Sequence, residues 1–175
     1  MIYLGLDIST SCIGMALMDD DKIIKEDNLR LNLTKHKNFD FYDKLEAFEE
    51  KIVSFIGDVD FDCFVVEESL AGHNRSTNSI LIKLGRFNGA CRHIIYRLYG
   101  KKAFEIHPNT VKKQIGLKVP RGGNKKKLTI ELVSKLYPEF TYELTPKKNP
   151  VPGTDDRADA ITVALAFYIK NFKNK

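Results

Sequence analysis

Met1-Ile-Tyr-Leu-Gly-Leu-Asp7 opens the chain, an almost wholly apolar run that ends on an acid. A run with so little polar alternation predicts a central strand over 2–7, buried on both faces. Two later stretches share its character. Phe64-Val-Val-Glu67-Glu68 is a second apolar run ending in acid, and Asp155-Asp156-Arg-Ala-Asp159-Ala opens an apolar helical run near the C-terminus. Neighbours on a strand face opposite ways, so only one of Glu67 and Glu68 can meet Asp7. The choice falls on Glu67, which directly follows Val65-Val66. Asp156 and Asp159 stand three apart and so share one helix face. Asp155 and Asp156 could be ordinary first-turn acids favoured by the helix dipole. Asp159 is harder to account for in that way, because it sits in an otherwise apolar, Ala-rich stretch.

The segments between these acids predict an α/β fold. A second strand is expected over 12–18, with Gly14 keeping the Asp7 site clear of a side chain. Asp19-Asp20-Asp21 then reads as a solvated hairpin turn, not a metal cluster, and a third strand over 22–33 completes an antiparallel meander. Leu45, Phe48, Ile52 and Phe55 mark an amphipathic helix over 41–56, ended by Gly57. The crossover through it should lay a strand at 61–67 parallel to the first, which brings Glu67 beside Asp7. A long helix over 76–99 follows, with small residues Gly85, Gly89 and Ala90 that would admit a partner helix or pack on the sheet. A short fifth strand is expected at 103–107, then helices at 109–115 and 125–136, the latter capped by Asn124. The last helix, 156–172, would be capped by Thr154 or Asp155. No repeat or second boundary is visible, so residues 1–175 read as a single domain.

Composition narrows the function. The chain carries a net charge of +5, and from Pro108 to Lys127 every charged residue is basic. Lys112, Lys113, Lys118, Arg121, Lys125, Lys126 and Lys127 form a cluster suited to a polyanion, since binding phosphates releases their counterions. No apolar run is long enough to span a membrane, and no secretory signal is visible. The three widely spaced cysteines, Cys12, Cys63 and Cys91, suit neither a disulfide framework nor a zinc site. A cytoplasmic protein is expected.

Carboxylates from separate elements are natural ligands for Mg2+ or Mn2+, which favour hard oxygen donors. Two such ions would activate water and stabilise the leaving oxygen in phosphodiester hydrolysis. With these residues assembled, the chain resembles the RuvC-type Holliday junction resolvases of the RNase H-like superfamily, viral members included. The resemblance lies in Leu4-Gly-Leu-Asp7 with Gly14, Val65-Val-Glu67-Glu68-Ser-Leu70, Lys83-Leu-Gly85, Val111-Lys112-Lys113 and Asp156-Arg-Ala-Asp159-Ala-Ile. It implies a five-stranded mixed sheet flanked by helices, and a two-metal endonuclease acting as a homodimer on four-way DNA junctions. It makes Asp7, Glu67, Asp156 and Asp159 the metal ligands, and places the two phosphate-approaching lysines at Lys112 and Lys126, with Lys125 and Lys127 flanking the second. Leu70 stands where the family carries an aromatic wedge, and the loop around it offers His73, Asn74 and Arg75 as DNA contacts. Ile8-Ser9-Thr10 replaces the family's Pro-Gly-Ser, and the loop after Glu67 is longer.

Two other readings have sequence support. One is an RNase H-like nuclease for other branched DNA or structured RNA, as the YqgF-like relatives are. The other starts from Gly5 to Gly14, which also resembles the first phosphate loop of sugar kinases and actin-like ATPases. Those folds duplicate the domain, and 175 residues leave no room for both halves.

Overall fold

A computed structural model describes residues 1–32, 39–68 and 75–173, apart from the side chains of 75–78. One five-stranded sheet runs through the chain in the order β3-β2-β1-β4-β5. Strands β1 (Ile2–Ile8), β2 (Cys12–Asp19) and β3 (Lys22–Arg30) form an antiparallel meander. Helix α1 (Phe41–Ile56) then carries the chain across to β4 (Cys63–Glu67), which lies parallel to β1. Helix α2 (Arg75–Tyr99) leads on to β5 (Ala103–Ile106), parallel to β4. Helices α3 (Pro108–Gln114), α4 (Lys125–Leu136) and α5 (Thr154–Tyr168) follow, and α5 runs into a π-helical turn at Ile169–Lys173. The α/β class and the mixed sheet match the sequence reading. Strand β3 ends at Arg30, short of residue 33, and β4 begins at Cys63 rather than 61.

Alternation along the strands divides the core in two. Leu4, Leu6 and Ile8 of β1 pack with Phe48 and Ile52 of α1 and with Phe87, Cys91 and Ile95 of α2. Tyr3, on the opposite face, packs with α5 through Ala160, Ile161 and Ala164, and α3 and α4 join through Val111, Ile130 and Val133. Asp7 falls on the Tyr3 face by the period-2 rule, and so under α5. All three cysteines are buried and free, as expected of small core residues.

Helix α5 is buried almost all round from Ala158 to Phe167, with Asp159 less enclosed than its neighbours. It lies against the sheet so closely that two strand positions have no room for a side chain. A Cβ at Gly5 would stand 2.4 Å from the Ala160 carbonyl oxygen and 2.6 Å from the Ala164 Cβ. At Gly14, which pairs with Asp7 in the ladder, a Cβ would stand 1.9 Å from the Asp156 carbonyl oxygen. The space that Gly14 leaves is thus taken by the backbone of α5, which differs from the open approach to Asp7 expected of it.

The start of α5 also differs from expectation. Neither Thr154 nor Asp155 is the cap: the cap position is Gly153, at φ 97°, and makes no side-chain cap. Its backbone needs the left-handed region, and a Cβ there would meet the Asn28 side-chain oxygen at 2.7 Å. The Thr154 hydroxyl turns back instead, donating to the Val151 carbonyl at 2.8 Å.

These contacts predict opposite outcomes for two glycines. Gly14→Ala should destabilise the fold by about 3 kcal/mol in urea unfolding, because the clash is with backbone. Gly89→Ala should stabilise the isolated monomer by roughly 0.5–1 kcal/mol, since within one chain that helical position meets no other atom within 4 Å.

Candidate active site

Three elements deliver the acids. The parallel register pairs Leu6 with Val66, so Asp7 and Glu67 leave the sheet side by side at the C-terminal ends of β1 and β4. The first turns of α5 cross above them with Asp156 and Asp159. Glu68 turns outward and is exposed, while its N–H continues the ladder to the Ile106 carbonyl at 3.0 Å. The ends of parallel strands are open ground for a site, because the connections lead away to the flanking helices.

The four carboxylates act on one another. Burial pushes the Asp7 carboxyl well above its ordinary range, and Asp159, Glu67 and Asp156 push it further. Glu67 is also raised, by burial first, with Lys125 opposing, Asp159 adding, and Lys112 and His107 opposing. Burial raises Asp159 against the pull of Lys125 and, more weakly, of the nearby Thr129 hydroxyl. Burial raises Asp156 too, and a hydrogen bond from the Cys12 thiol partly offsets it. The acids that the sequence singled out therefore share one field. As the side chains stand, no three His, Cys, Asp or Glu groups among the described residues form a ligand set around one point.

The basic residues divide by helix geometry. Successive residues point about 100° apart around a helix, so the three lysines that open α4 diverge. Lys125 Nζ lies 3.7 Å from Asp159 Oδ2, and its charge also reaches Asp7 and Glu67. Lys126 turns onto Asp155 in an ion pair, and Lys127 faces Glu131 at 3.8 Å. Lys125 is thus the one that pairs with Asp159, while Lys126, to which the resemblance pointed, pairs with Asp155 and also acts on Asp156 and Asp159. Lys112 on α3 is half-buried and acts on Glu67, while Lys113, Lys118 and Arg121 are exposed on the same flank. Leu70, His73 and Asn74 lie outside the described residues, as does the side chain of Arg75.

Four further residues support the site. Arg157 fastens the start of α5 from beneath: its Nε lies 3.1 Å from Glu26 Oε2, its Nη2 donates to the Thr141 carbonyl at 2.8 Å, and its guanidinium stacks on Phe140. His107 caps α3 by accepting the Asn109 N–H on Nδ1 at 3.1 Å. It directly follows Ile106, the ladder partner of Glu67, so the strand order could have revealed it. The Cys12 and Thr129 contacts depend on how α5 docks, and nothing local in the sequence signals them.

The same architecture recurs in solved structures. The Thermus thermophilus RuvC in complex with a Holliday junction substrate is similar at a TM-score of 0.68 and 14% identity, over 97% of this chain and 94% of that one. This chain has the RuvC-type fold. The yeast mitochondrial Holliday junction resolvase Ydc2 is similar at a TM-score of 0.59 and 10% identity, over 98% of this chain and 83% of that one. The Fowlpox virus resolvase in complex with Holliday junction DNA follows at 0.51 and 17%, over 98% and 99%. No family model and no curated protein matches the sequence. The RuvC-type fold is therefore shared at identities where architecture survives and most side chains do not.

The raised carboxyls carry a stability cost with a definite sign. Each binds its proton more tightly folded than unfolded, so the native state holds more protons between the two values and loses stability as pH rises through that window. Asp7→Asn removes the largest such burden. In chelator at neutral pH it should be more stable than the parent. That advantage should shrink as pH falls toward the ordinary carboxylate range, as read by paired melting curves.

Proposed function

We propose that this chain is a single-domain, metal-dependent endodeoxyribonuclease, cytoplasmic in location, that resolves four-way DNA junctions by paired phosphodiester hydrolysis. The observation that carries this reading is the shared field of Asp7, Glu67, Asp156 and Asp159 at the strand ends of a RuvC-type fold. Two of the similar structures hold Holliday junction DNA, and the same substrate suits the one-signed basic segment here. Among the described residues, no helix is long and apolar enough to cross a membrane.

The donor set fits Mg2+ or Mn2+, with two ions expected per site. All four donors are hard oxygens, and their carboxyls stay raised despite Lys125 and Lys112, so the site has room for more positive charge. Asp7, Glu67, Asp156 and Asp159 would hold the ions. When bound, such ions lower the pKa of water and stabilise charge on the phosphodiester. The chain's own residues then do the rest. The acids would repel a phosphate in the absence of metal, which ties substrate entry to metal loading. Lys112 and Lys125 would approach the scissile phosphate and offset the charge that develops there. Lys113, Lys118, Arg121, Lys126 and Lys127 would hold the flanking backbone without reading bases. The roles of Leu70 as a junction wedge and of His73, Asn74 and Arg75 as DNA contacts rest on the sequence resemblance.

Paired cuts call for two sites, and a homodimer would supply them. Supporting this, Gly85 and Gly89 of α2 face open space, with exposed Ile82 and Tyr96 on the same helix. That surface would admit a second copy at close range.

Nicking of a labelled mobile four-way junction, in Mg2+ and then Mn2+, tests the proposal. The parent should make symmetrical paired nicks and leave linear duplex intact. Asp7→Asn should bind the junction and cut it at least about a thousandfold more slowly. Cutting confined to flaps or RNA hairpins would move the function to another branched substrate. Within the same assay, Lys125→Gln should cost about a hundredfold and Lys126→Gln under about tenfold. The reverse order would return the phosphate role to Lys126.

A further inference from the structure

A groove opens on the opposite face of the sheet from the acids, between the first turn of α1 and the N-terminal half of α2. It encloses about 910 Å³ and is bounded by Thr10 of the β1–β2 turn. Its apolar wall is aromatic. The Phe41 ring stands edge-on to Tyr42 at 5.5 Å and to Phe87 at 6.1 Å. Phe87 is buried, which fixes the set, yet Phe41 is 40% exposed and Tyr42 71% exposed. Rings so exposed contribute little to the core and leave aromatic surface open to solvent.

The charge around the groove is mainly basic. Lys83 and Arg86 of α2 line it, and among the described residues neither pairs with an acid. The acid in the lining, Asp40, is turned into the helix: it caps α1, accepting the N–H groups of Tyr42 and Asp43 at 2.7 and 3.0 Å. Lys44 is the tie to the nuclease site. Its Nζ donates to the Thr10 carbonyl at 2.9 Å, which pins the groove to the turn that leaves Asp7. Thr10 follows Asp7 by three residues, so the groove edge lies within about 11 Å of that acid along the chain.

We propose that this groove is a stacking site for an unpaired nucleotide of the DNA substrate. The inference deepens the nuclease reading and rests on it. An exposed aromatic wall rimmed by cations suits a base with its phosphates, because any base can stack on an exposed ring and the cations follow the backbone. A paired duplex keeps its bases inside the stack and cannot offer one. At a branch point, a strand crossing the end of β1 presents a phosphate to the acids, while a neighbouring unpaired base turns over the β1–β2 turn into the groove. Strand separation next to the cut is thereby coupled to cleavage.

The test uses the full chain in an Asp7→Asn background with Mg2+. Fluorescence anisotropy reads binding to a short oligothymidylate, a four-way junction and a linear duplex. Tyr42→Ala should weaken the first two by about tenfold and leave the duplex unchanged. Tyr42→Phe should bind within about twofold of the parent, and Arg86→Ala should lower the salt dependence on the single strand. Unchanged affinity of Tyr42→Ala for all three DNAs would overturn the proposal. So would dissociation of a dimer by Tyr42→Ala in sedimentation, which would give the groove to a second copy. Junction nicking by the protein with Asp7 intact separates the two readings. Cutting with no effect of Tyr42→Ala on binding sinks the groove alone. No cutting, with loss of oligothymidylate binding in Tyr42→Ala, sustains the nucleotide site and sinks the nuclease.

Discussion

The backbone of α5 lies directly on the backbone of β1 and β2, and the site exists because it does. Gly5 and Gly14 remove the side chains that would otherwise hold the helix away, and Ala160 and Ala164 do the same from the helix side. A helix packed on ordinary side chains would stand farther from the sheet, and Asp156 and Asp159 would no longer act on Asp7. The same docking explains the irregular entry to the helix. Gly153 turns the chain tightly against Asn28, and Arg157 then ties the first turn to Glu26 and Thr141. Glycine within a strand is unfavourable on its own account, so its use at two positions beneath α5 marks where close approach outweighs local preference.

That approach concentrates negative charge where solvent is scarce. All four carboxyls are raised, burial being the first cause in each, and the lysines compensate only in part. Such a cluster works against the folded state, a pattern typical of a site kept for chemistry at the expense of stability. The surrounding cations are graded. Lys125 answers Asp159, Lys126 is held by Asp155, and Lys127 faces Glu131. One short run of lysines thus serves three surroundings through helical rotation alone.

Both faces of the sheet meet at the end of β1. The acids lie on the α5 side, the aromatic groove on the α1–α2 side, and the turn through Thr10 separates them. A substrate passing over this edge would touch the two surfaces in succession, and the proposed link between strand separation and backbone cleavage rests on that geometry.

Much of this was open to local reading. The unbroken apolar run before Asp7 identified a central strand, the crossover through α1 required Glu67 to emerge beside it, and the spacing of Asp156 and Asp159 placed them on one helix face. These conclusions follow from periodicity and chain handedness, which are properties of neighbouring residues. Other features were beyond such reading. The burial pattern around α5 hides its amphipathic period, so its contacts with Cys12 and Thr129 had no signature. Three consecutive lysines look alike in sequence, and Gly14 could be read only as a gap. Which lysine meets which acid, and what fills that gap, depends on the distance and rotation at which α5 and α4 settle on the sheet. Those are set by packing among residues far apart in the chain, and only the tertiary structure decided them.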